Sequence, residues 1–569
     1  MATPLKLRSE RVGKITLAEQ SPFLSVLVDT GVFHLDQSFD YSLPAKFEIQ
    51  VGQWVSVPFH GRNCQGLVID RKNGAISGKV HPINRPIKGP FISKEHLKLY
   101  KAVAERWASP IFDVLRFAVK SPMPRELPVT AGLSKRTYLQ LKPERDEISQ
   151  LIEIGEKLAR SGATLVIVPE ARTAAQLSNF SFDIGMRGAI LTPNRYSNII
   201  ILREESEHHF EIKSPGFNTR DVALLRNEFL TENLLFVGFT PSLEMVRLIE
   251  SGFVSLKRTT GATQILVKPV QQGELIPSAM IKPFKSALAR GPILVIAPSK
   301  GYGLAISCAS CRNLAKCDCG GKLTKRSRSD SPHCVICNKV FQNWRCTYCR
   351  KDRIYLLGRG IERIAEEFGK SFPNTAIHIA TSDKNLEGEI PKRSIVLATV
   401  GAAPANKEIV YSATLFLDGL NLASDMRSEE RYLSTLFRYT ALASGRAFVV
   451  DRTESPSVNS LIKWQPFILM RRFYEELKSA DLPPSTRHLI LQSEESEAAR
   501  IYTGIQSAIR EGRLPNDLRI HNIGNGAISI FFSLRSAKKM TQFIFEFQKR
   551  RSISGKALLK VRIDPYLLG

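Results

Sequence analysis

The stretch from Cys308 to Cys349, CASCRNLAKCDCGGKLTKRSRSDSPHCVICNKVFQNWRCTYC, holds eight of the nine cysteines of the chain. They form four close pairs, which are Cys308/Cys311, Cys317/Cys319, Cys334/Cys337 and Cys346/Cys349. In three of the pairs two residues separate the thiols, a spacing that lets both thiolates of one turn bind a tetrahedral metal. Eight thiolates predict two four-thiolate zinc sites.

Disulfides are the alternative use of paired cysteines. A chain without a signal peptide is expected in a reducing cytoplasm, where disulfides are rare, and Gly320 and Gly321 after a pair suit a zinc knuckle. We expect two structural Zn²⁺ ions, because four thiolates leave no coordination position for an activated water. The segment lacks apolar residues for its own core, so metal binding should supply its folding energy. The ninth cysteine, Cys64, is expected to be an ordinary buried side chain.

The composition is that of a basic globular chain. It has 569 residues, 43% of them hydrophobic, and 80 Lys and Arg against 54 Asp and Glu give a net charge of +26. At about 150 residues per domain, this length predicts about four domains. The charge favours a polyanion partner, first of all nucleic acid, although some basic residues only solvate the surface. No apolar run reaches the roughly 18 residues of a membrane span, so we expect a cytoplasmic protein without a membrane partner.

The first 126 residues predict three different parts. Residues 1–21 are polar and basic, which is typical of a disordered arm. Residues 22–92 contain short strand patterns between Gly and Pro turns, which predicts a small β domain. Residues 93–126 contain helical patterns broken at Ser109-Pro110, which predicts a winged-helix-like module.

Strand and helix patterns alternate after residue 127, which predicts parallel sheets covered on both faces. The strand candidates are 164–168, 198–202, 234–238, 292–297, 376–380, 394–398, 414–418 and 447–451. The chain is therefore a multidomain α/β protein by prediction. Its later parts are an α/β lobe at 127–260, a second lobe at 261–304 and 353–460, a zinc insertion at 305–352 and an α+β C-terminal domain at 466–569.

The order of these parts resembles the primosomal protein N-prime (PriA) family of bacterial replication-restart helicases over almost the whole chain. Similar strings are Phe39-Asp40-Tyr41, GQWVSVPF at 52–59, ARSGATLVIVPEARTAAQL at 159–177, NTRDVALLR at 218–226, TPSLEM at 240–245, GRGIERIAEEF at 358–368 and VRIDPYLL at 561–568. The resemblance implies a domain for the 3′ end of a nascent DNA strand, with Phe39, Asp40 and Gly52 as DNA-binding residues. It also implies that both lobes are helicase-like (RecA-like).

The resemblance further implies how the cysteines share two ions. The outer pairs, Cys308, Cys311, Cys346 and Cys349, bind one ion, and the inner pairs, Cys317, Cys319, Cys334 and Cys337, bind the other. Cys317 and Cys319 are separated by one residue instead of two, so the second site is expected to be strained or weaker.

The chain departs from the family at the motifs that handle ATP. It has no G-x-x-x-x-G-K-[ST] loop, and the nearest match, Gly369-Lys370-Ser371, has Ile364 in place of the first glycine. Arg203-Glu204-Glu205-Ser206 stands where the family has its DEEH box, which puts a cation at the place of the Mg²⁺-organising carboxylate. We expect no strand–loop–helix cradle for an anion from about Leu127 to Glu144.

Two smaller motifs are also reduced. Gly238-Phe239-Thr240 stands in place of Ser-Ala-Thr, and the arginine-bearing motif VI is reduced to Ser444-Gly445-Arg446. The lobes are therefore expected to be a degenerate scaffold without catalytic or cofactor-binding residues, as in the helicase-deficient branch of the family. The adjacent His208-His209 has no further metal ligand at suitable spacing and is expected on an exposed loop.

The predicted function is replication restart, in which the protein binds abandoned or stalled forks and promotes primosome assembly and reloading of the replicative helicase. By the resemblance, its partners are forked and single-stranded DNA, helicase-loading primosome proteins and the single-stranded-DNA-binding protein, on the nucleoid. Two alternatives stay open: an active ATP-dependent 3′–5′ DNA helicase with divergent motifs, and a zinc-ribbon RNA-binding protein. Binding of ATP without hydrolysis also stays open.

Overall fold

The structure is a computed structural model. It describes residues 16–74, 80–120, 134–143, 145–261, 263–269, 274–297, 305–318, 321–327, 329–334, 338–357, 360–381, 386, 390–404, 410–417, 426–443, 445–451 and 455–566. The chain divides into two compact units. The first unit comprises Met1–Thr137, Ile154–Phe236 and Glu476–Gly569, and the second comprises Tyr138–Glu153 and Val237–Glu475. None of the helices in the described ranges has both the length and the apolar character needed to span a bilayer.

The strands within the described residues are β1 (Phe23–Val28), β2 (Ser38–Ser42), β3 (Trp54–Phe59), β4 (Arg62–Lys72), β5 (Arg85–Ile87), β6 (Arg136–Gln140), β7 (Thr164–Ile167), β8 (Asp183–Gly185), β9 (Asn198–Leu202), β10 (Asn233–Gly238), β11 (Ser255–Lys257), β12 (Gln264–Lys268), β13 (Ile293–Ala297), β14 (Ala305–Cys308), β15 (Leu323–Thr324), β16 (His333–Cys334), β17 (Ile354–Leu357), β18 (Ala376–Ala380), β19 (Ser394–Thr399), β20 (Ala413–Phe416), β21 (Arg446–Val450), β22 (Thr486–Gln492), β23 (Arg519–Gly524), β24 (Ala527–Ser533) and β25 (Lys560–Ile563).

The α-helices within the same residues are α1 (Lys94–Arg106), α2 (Ile111–Val119), α3 (Glu147–Ala159), α4 (Ala171–Ala175), α5 (Thr219–Leu230), α6 (Leu243–Glu250), α7 (Ser278–Arg290), α8 (Ile361–Ser371), α9 (Ser428–Ala441), α10 (Pro456–Ile462), α11 (Pro466–Ser479), α12 (Glu495–Arg510) and α13 (Ala537–Ile553). Short 3-10 helices lie at Phe33–Leu35, Arg187–Leu191 and Glu207–His209.

The first unit begins with an antiparallel sheet in the order β2-β1-β4-β3-β5. Its strands alternate apolar and polar residues, so one face, including Val26, Val57 and Val68, forms a core. The chain before β5 returns to β2, where Ile83 N donates to Ser42 O at 3.1 Å. This contact closes the sheet into a small barrel. The β-structure predicted at the N-terminus is confirmed, while residues 1–15 of the predicted arm lie outside the described residues.

Two helices follow the barrel and are separated by a proline. α1 begins after Ser93, whose hydroxyl accepts from His96 N at 3.2 Å. Pro110 is the N-cap residue of α2. A proline disfavours helical conformation in the residue before it, so α1 ends upstream and a new helix begins. The break predicted at Ser109-Pro110 is confirmed.

The first unit also contains the parallel strands β7, β8 and β9. Val166 of β7 stands opposite Ile184 of β8 and Ile200 of β9. Every residue of β9 is buried, as expected for a parallel strand covered on both faces. The chain passes from one unit to the other within β6 and within β10.

The second unit has a parallel six-stranded sheet in the order β12-β21-β20-β13-β19-β18. All residues of β13 are buried, and an aromatic cluster including Phe284, Phe368 and Phe372 packs in the same core. The parallel sheets predicted from the strand–helix alternation are confirmed. The cysteine-rich segment lies between β13 and β18 in the chain.

The C-terminal part of the first unit has an antiparallel sheet in the order β23-β24-β22-β25. The side-chain amide of Gln548 on α13 donates to Leu559 O at 2.9 Å and accepts from Leu559 N at 3.1 Å, which ties the helix to the chain before β25. The strand–helix–strand order predicted for the end of the chain is confirmed by β24, α13 and β25.

Candidate metal centre and nucleic-acid site

Four of the predicted zinc ligands meet in the second unit. The Sγ atoms of Cys308, Cys311, Cys346 and Cys349 all lie within 4.8 Å of one another. Cys308 Sγ lies 3.4 Å from Cys349 Sγ, and Cys311 Sγ lies 3.5 Å from Cys346 Sγ. Zn–S bonds of about 2.3 Å place the sulfur atoms of a tetrahedral site roughly 3.8 Å apart. These four thiols, here called the outer cluster, therefore fit one metal ion.

The two cysteine pairs of the outer cluster adopt the same turn. Cys308 N donates to Asn313 O at 2.9 Å, and Cys346 N donates to Lys351 O at 2.8 Å. Arg312 follows the first pair with a φ of 62°, and its N donates to Cys308 O at 2.9 Å. Arg350 repeats that arrangement after the second pair, with a φ of 60°. Each turn directs its two thiols toward a common point.

The turns also favour the thiolate form of the first cysteine in each pair. The backbone N–H of Cys311 donates to the Cys308 sulfur and lowers the pKa of that thiol to about 6. The backbone N–H of Cys349 lowers the pKa of Cys346 in the same way. Because the thiolate is the ligand, less work is needed to deprotonate these thiols for a metal ion.

The inner pairs are described only in part. Cys319 and Cys337 lie outside the described residues. Cys317 and Cys334 are both buried and belong to the same small core as the outer cluster, together with Leu323. Two of the four predicted inner ligands therefore lie in the same small core as the outer cluster.

The backbone around the inner pairs differs between them. Cys334 N donates to Lys339 O at 2.9 Å, and Asn338, with a φ of 59°, donates from N to Cys334 O at 3.1 Å, which repeats the turn of the outer pairs. Cys317 N donates instead to Gly321 O at 2.8 Å, four residues onward rather than five. The hydrogen bond of Cys317 N therefore closes a loop that is one residue shorter than that of Cys334 N.

Two of the predicted DNA-binding residues are neighbours on β2. The Phe39 ring packs against the barrel core, 5.0 Å from the Phe59 ring. Asp40 lies on the opposite face of the strand, because successive side chains alternate. Its Oδ1 is 2.9 Å from Lys72 Nζ and accepts from Ser25 Oγ at 3.1 Å.

Gly52, the third predicted DNA-binding residue, occupies a position that only glycine fits. Its φ is 97°, and an added Cβ would lie 2.3 Å from Ile92 O. Gly52 N donates to Val68 O at 2.8 Å on β4. Val68 stands opposite Val26, which in turn stands opposite Phe39. Phe39 and Gly52 therefore lie in one row of the barrel, with β1 and β4 between them.

The chain does form a strand, a loop and a helix where the phosphate loop would lie, because β6 is followed by α3. The expectation that no strand–loop–helix arrangement forms from about Leu127 to Glu144 is therefore wrong for the backbone order. Residues 127–133 and 144 lie outside the described part of the chain. Asp146 Oδ1 accepts from Ser149 N at 2.9 Å, so a carboxylate caps the start of α3. An anion bound at a helix N-terminus would need that position.

The Gln150 side chain satisfies the backbone of the same loop. Its Oε1 accepts from Lys142 N at 2.9 Å, and its Nε2 donates to Lys142 O at 3.0 Å and to Arg145 O at 2.7 Å. The loop backbone is therefore hydrogen-bonded to a protein side chain. Asp146 was missed in the sequence, although an aspartate before a helical pattern is a capping signal.

Further contacts within the second unit hold this loop. Trp464 Nε1 donates to Leu141 O at 3.0 Å, and Gln140 Nε2 donates to Trp464 O at 3.1 Å. Glu147, the first residue of α3, pairs with Arg438 of α9 at 3.0 Å. No local pattern in the sequence indicates these contacts, because their partners are about 300 residues apart in the chain.

The altered DEEH box lies at the end of β9 in the first unit. Arg203 is 4% exposed and holds Glu170 through both carboxylate oxygens, at 3.3 and 3.1 Å. Glu204 is fully buried and pairs with Arg220 at 3.0 Å. The cation predicted at the Mg²⁺ position is thus neutralised by a carboxylate of the same unit.

Three further features singled out in the sequence, namely the reduced motif VI, the Gly-Lys-Ser match and the histidine pair, lie in regular secondary structure or make contacts within the protein. Arg446 Nη2 donates to Gln264 Oε1 at 2.6 Å, while Ser444 lies outside the described residues. Gly369-Lys370-Ser371 is the last turn of α8. His208 is exposed, but the prediction of an exposed loop is wrong for His209, which is buried with Nε2 2.8 Å from Leu202 O.

Comparison with known proteins gives a family match for the N-terminal part. The family model of the PriA 3′DNA-binding domain matches residues 25–120, which include the barrel, α1 and α2. The probable replication restart protein PriA of Mycobacterium tuberculosis (strain H37Rv) is 27% identical over 79% of this chain and 84% of its own. The replication restart protein PriA of Rickettsia conorii is 23% identical over 81% of this chain and 86% of its own.

One further relative matches a smaller part of this chain, and one solved structure shows only a weak structural similarity to it. The replication restart protein PriA of Haemophilus influenzae is 26% identical over 46% of this chain and 40% of its own. A solved structure of S. cerevisiae Dbp5 bound to RNA and ADP BeF3 aligns with a TM-score of 0.27 and 10% identity, over 67% of this chain and 92% of that chain, a similarity too low to carry an argument. Over most of its length, the chain is therefore similar to replication restart proteins. The resemblance to the PriA family that the sequence predicted is confirmed.

Proposed function

We propose that this protein binds abandoned or stalled replication forks and promotes primosome assembly and reloading of the replicative helicase, without hydrolysing ATP itself. The match of residues 25–120 to a 3′DNA-binding domain supports a role at DNA ends. The net charge of +26 supports contact with nucleic acid. The partners in this proposal are forked and single-stranded DNA, helicase-loading proteins and the single-stranded-DNA-binding protein, in the cytoplasm.

The observation that carries the non-catalytic part of the proposal is the loop between β6 and α3. Phosphoryl transfer depends on positioning and charge neutralisation, so the phosphates need free backbone N–H groups, a lysine and a metal-binding carboxylate. Here Asp146 accepts from the N–H of Ser149 in the first turn of α3, and Gln150 accepts from the N–H of Lys142 in the loop. In addition, Arg203 stands at the expected carboxylate position and is held by Glu170. None of these residues therefore supplies the free backbone N–H groups or the metal-binding carboxylate that phosphoryl transfer requires.

We further propose that the cysteines hold two zinc ions, one on the outer cluster and one on the inner set. Zinc fits the outer cluster because all four donors are sulfur atoms at tetrahedral spacing. The small core of the cysteine-rich segment includes six of these cysteines beside seven apolar residues, which supports a structural role for the metal. In this proposal the parts at 127–260 and at 261–304 with 353–460 are a helicase-derived scaffold.

The deciding experiment compares fork binding and ATP hydrolysis on the same purified protein. We expect binding to a synthetic fork to weaken with salt. The slope of log binding constant against log salt concentration should change by about 0.7 to 0.9 for each phosphate contacted. We expect no fork-stimulated phosphate release above a control without protein. Phosphate release that follows the protein peak through purification would favour the divergent helicase instead. Displacement of the fork by an equal concentration of RNA would favour the RNA-binding alternative.

A further inference from the structure

Two arginines of the outer cluster occupy a backbone conformation that suits glycine or asparagine. Arg312 and Arg350 directly follow the second cysteine of their turns, at φ values of 62° and 60°, and both are exposed. The residue at the same place after the Cys334 pair is Asn338, which tolerates this conformation better. A long cationic side chain makes the turn less stable than asparagine would. Such a residue is expected where its charge serves a ligand.

Two exposed tyrosines lie in the same segment, and one of them contacts an arginine. Tyr348 stands between the ligands Cys346 and Cys349 and is 70% exposed. Tyr355 is 38% exposed, and the guanidinium carbon of Arg312 lies 4.3 Å from its ring centroid. The metal-binding turn fixes the backbone on both sides of Tyr348. The backbone that carries Tyr348 is therefore held in place while its side chain remains accessible.

The surrounding segment is strongly basic. Within the described residues of 305–357, ten Lys and Arg stand against three Asp. A four-thiolate zinc site carries two negative charges, and two such sites would still leave a positive excess. Cations interleaved with exposed rings match single-stranded DNA, in which phosphates alternate with bases that present a π face.

We propose that the exposed residues beside the outer cluster, Arg312, Tyr348, Arg350 and Tyr355, bind single-stranded DNA. Tyr348 stacks on a base, and Arg312 and Arg350 neutralise phosphates on either side of the metal position. The contact is additional to the 3′-end site of the barrel. It rests on the proposed DNA-binding function and assigns to the metal-binding segment a direct share of the affinity.

The test measures binding of a fluorescent oligothymidylate to the full chain by anisotropy, over a series of salt concentrations. Tyr348→Ala should weaken binding about tenfold, whereas Tyr348→Phe should bind like the wild type because the ring is retained. Arg312→Asn with Arg350→Asn should lower the magnitude of the salt slope by about 1.4, since each lost single-strand phosphate contact removes about 0.7.

The matched control is Lys339→Ala. Lys339 belongs to the same segment, but its ammonium group pairs with Asp318 at 2.9 Å. Its replacement should change the affinity by less than about twofold. Zinc is measured in every variant, and the two asparagine substitutions, which suit the left-handed turn, keep the test decisive if Tyr348→Ala loses metal.

The possible outcomes separate this inference from the proposed function. If the wild type binds the oligonucleotide and all variants behave like Lys339→Ala, this DNA contact is refuted while fork binding stands, and an acidic protein segment becomes the better ligand for these residues. If the wild type binds neither the oligonucleotide nor a fork, the proposed function fails, and this inference fails with it. Selective weakening by Tyr348→Ala and the asparagine pair supports the contact.

Discussion

In the proposed 3′-end site, Asp40 would serve both folding and recognition. Its carboxylate is held by Lys72 and Ser25 on the outer face of β2, beside Phe39. A carboxylate that is already positioned loses little entropy when it accepts a hydrogen bond from a ligand. A terminal sugar hydroxyl of DNA would be such a donor.

We expect Phe39→Ala and Asp40→Ala to reduce the preference for a fork with a free 3′ end more than they reduce binding to plain duplex. The control is Lys72→Ala, which removes the ion-pair partner but keeps the carboxylate and its hydrogen bond from Ser25, and which should reduce the preference less than Asp40→Ala does. Affinities for a 3′-hydroxyl fork, a 3′-phosphate fork and a duplex of equal length give the comparison. Equal losses on all three substrates would mean that Phe39 and Asp40 only support the barrel.

Arg203 gives a second prediction at the scale of single residues. Arg203→Asp would set a new carboxylate against Glu170 in a site where Arg203 is 4% exposed. Breaking a largely buried ion pair in this way should cost about 2 to 4 kcal/mol of unfolding free energy, and ATP hydrolysis should stay at background. Chemical unfolding and phosphate release measure the two effects. Adding Glu170→Arg should recover much of the stability, and a gain of ATPase activity in either variant would contradict the scaffold proposal.

If the zinc proposal is right, the stability of the cysteine turns should depend on metal. Metal analysis of the full chain should give two zinc ions, and Cys346→Ser should remove about one of them because the outer cluster loses a ligand. The matched control is Cys64→Ser in β4 of the barrel, which should keep both ions. The prediction that Cys64 is buried is wrong, because its side chain is only half-buried, but partial burial still raises the pKa of the thiol and so favours the protonated form. One ion in the wild type would disprove the two-site proposal, and the shorter loop at Cys317 would be the first place to search for the cause.

Chelation should affect the same elements selectively. Removal of zinc should unfold 308–349, because its small core includes the cysteines themselves, and should leave the parallel sheet of the second unit largely folded. Hydrogen exchange before and after chelation would measure this difference. Loss of protection in β13 and β19 to the same extent as in β15 and β16 would show that the segment and the sheet unfold together.

The stability of the first unit as a whole should depend on pH through its buried histidines. Burial lowers the pKa of His96 to about 3, and those of His209 and His488 to about 4. In the unfolded chain, histidine has a pKa of about 6.5, so the unfolded state binds more protons below that pH. The contribution of these neutral histidines to the free energy of unfolding is therefore complete above pH 6.5. It is lost as the pH falls toward their folded-state pKa values, by about 1.4 kcal/mol per pH unit for each residue.

Thermal unfolding between pH 7 and pH 5 should show this loss for the wild type. His488→Gln should reduce the slope, although it also removes the ring stacked on Phe531 at 4.5 Å. The control is His208→Gln at the exposed neighbour of His209. This substitution should leave the slope of stability against pH unchanged. Stability that does not change over this pH range would contradict the buried, neutral state of these histidines.

Local sequence patterns determined a large share of this protein. Cysteine spacing indicated the metal-binding segment, alternation of strand and helix patterns predicted the parallel sheets, and Pro110 marked the break between α1 and α2. The missing phosphate-loop motif was also visible directly. These features could be predicted because each depends on residues that are near one another in the chain, where backbone geometry and side-chain periodicity act.

Only the tertiary structure decided which distant residues contact the loop between β6 and α3 and the residues that replace the DEEH box. It placed Trp464 on Leu141, Arg438 on Glu147 and Glu170 on Arg203, and it buried His209. It also showed why Gly52 is a glycine, because Ile92 O leaves no room for a Cβ. These contacts join residues far apart in the chain, so their formation depends on how the sheets and helices pack and not on any local pattern.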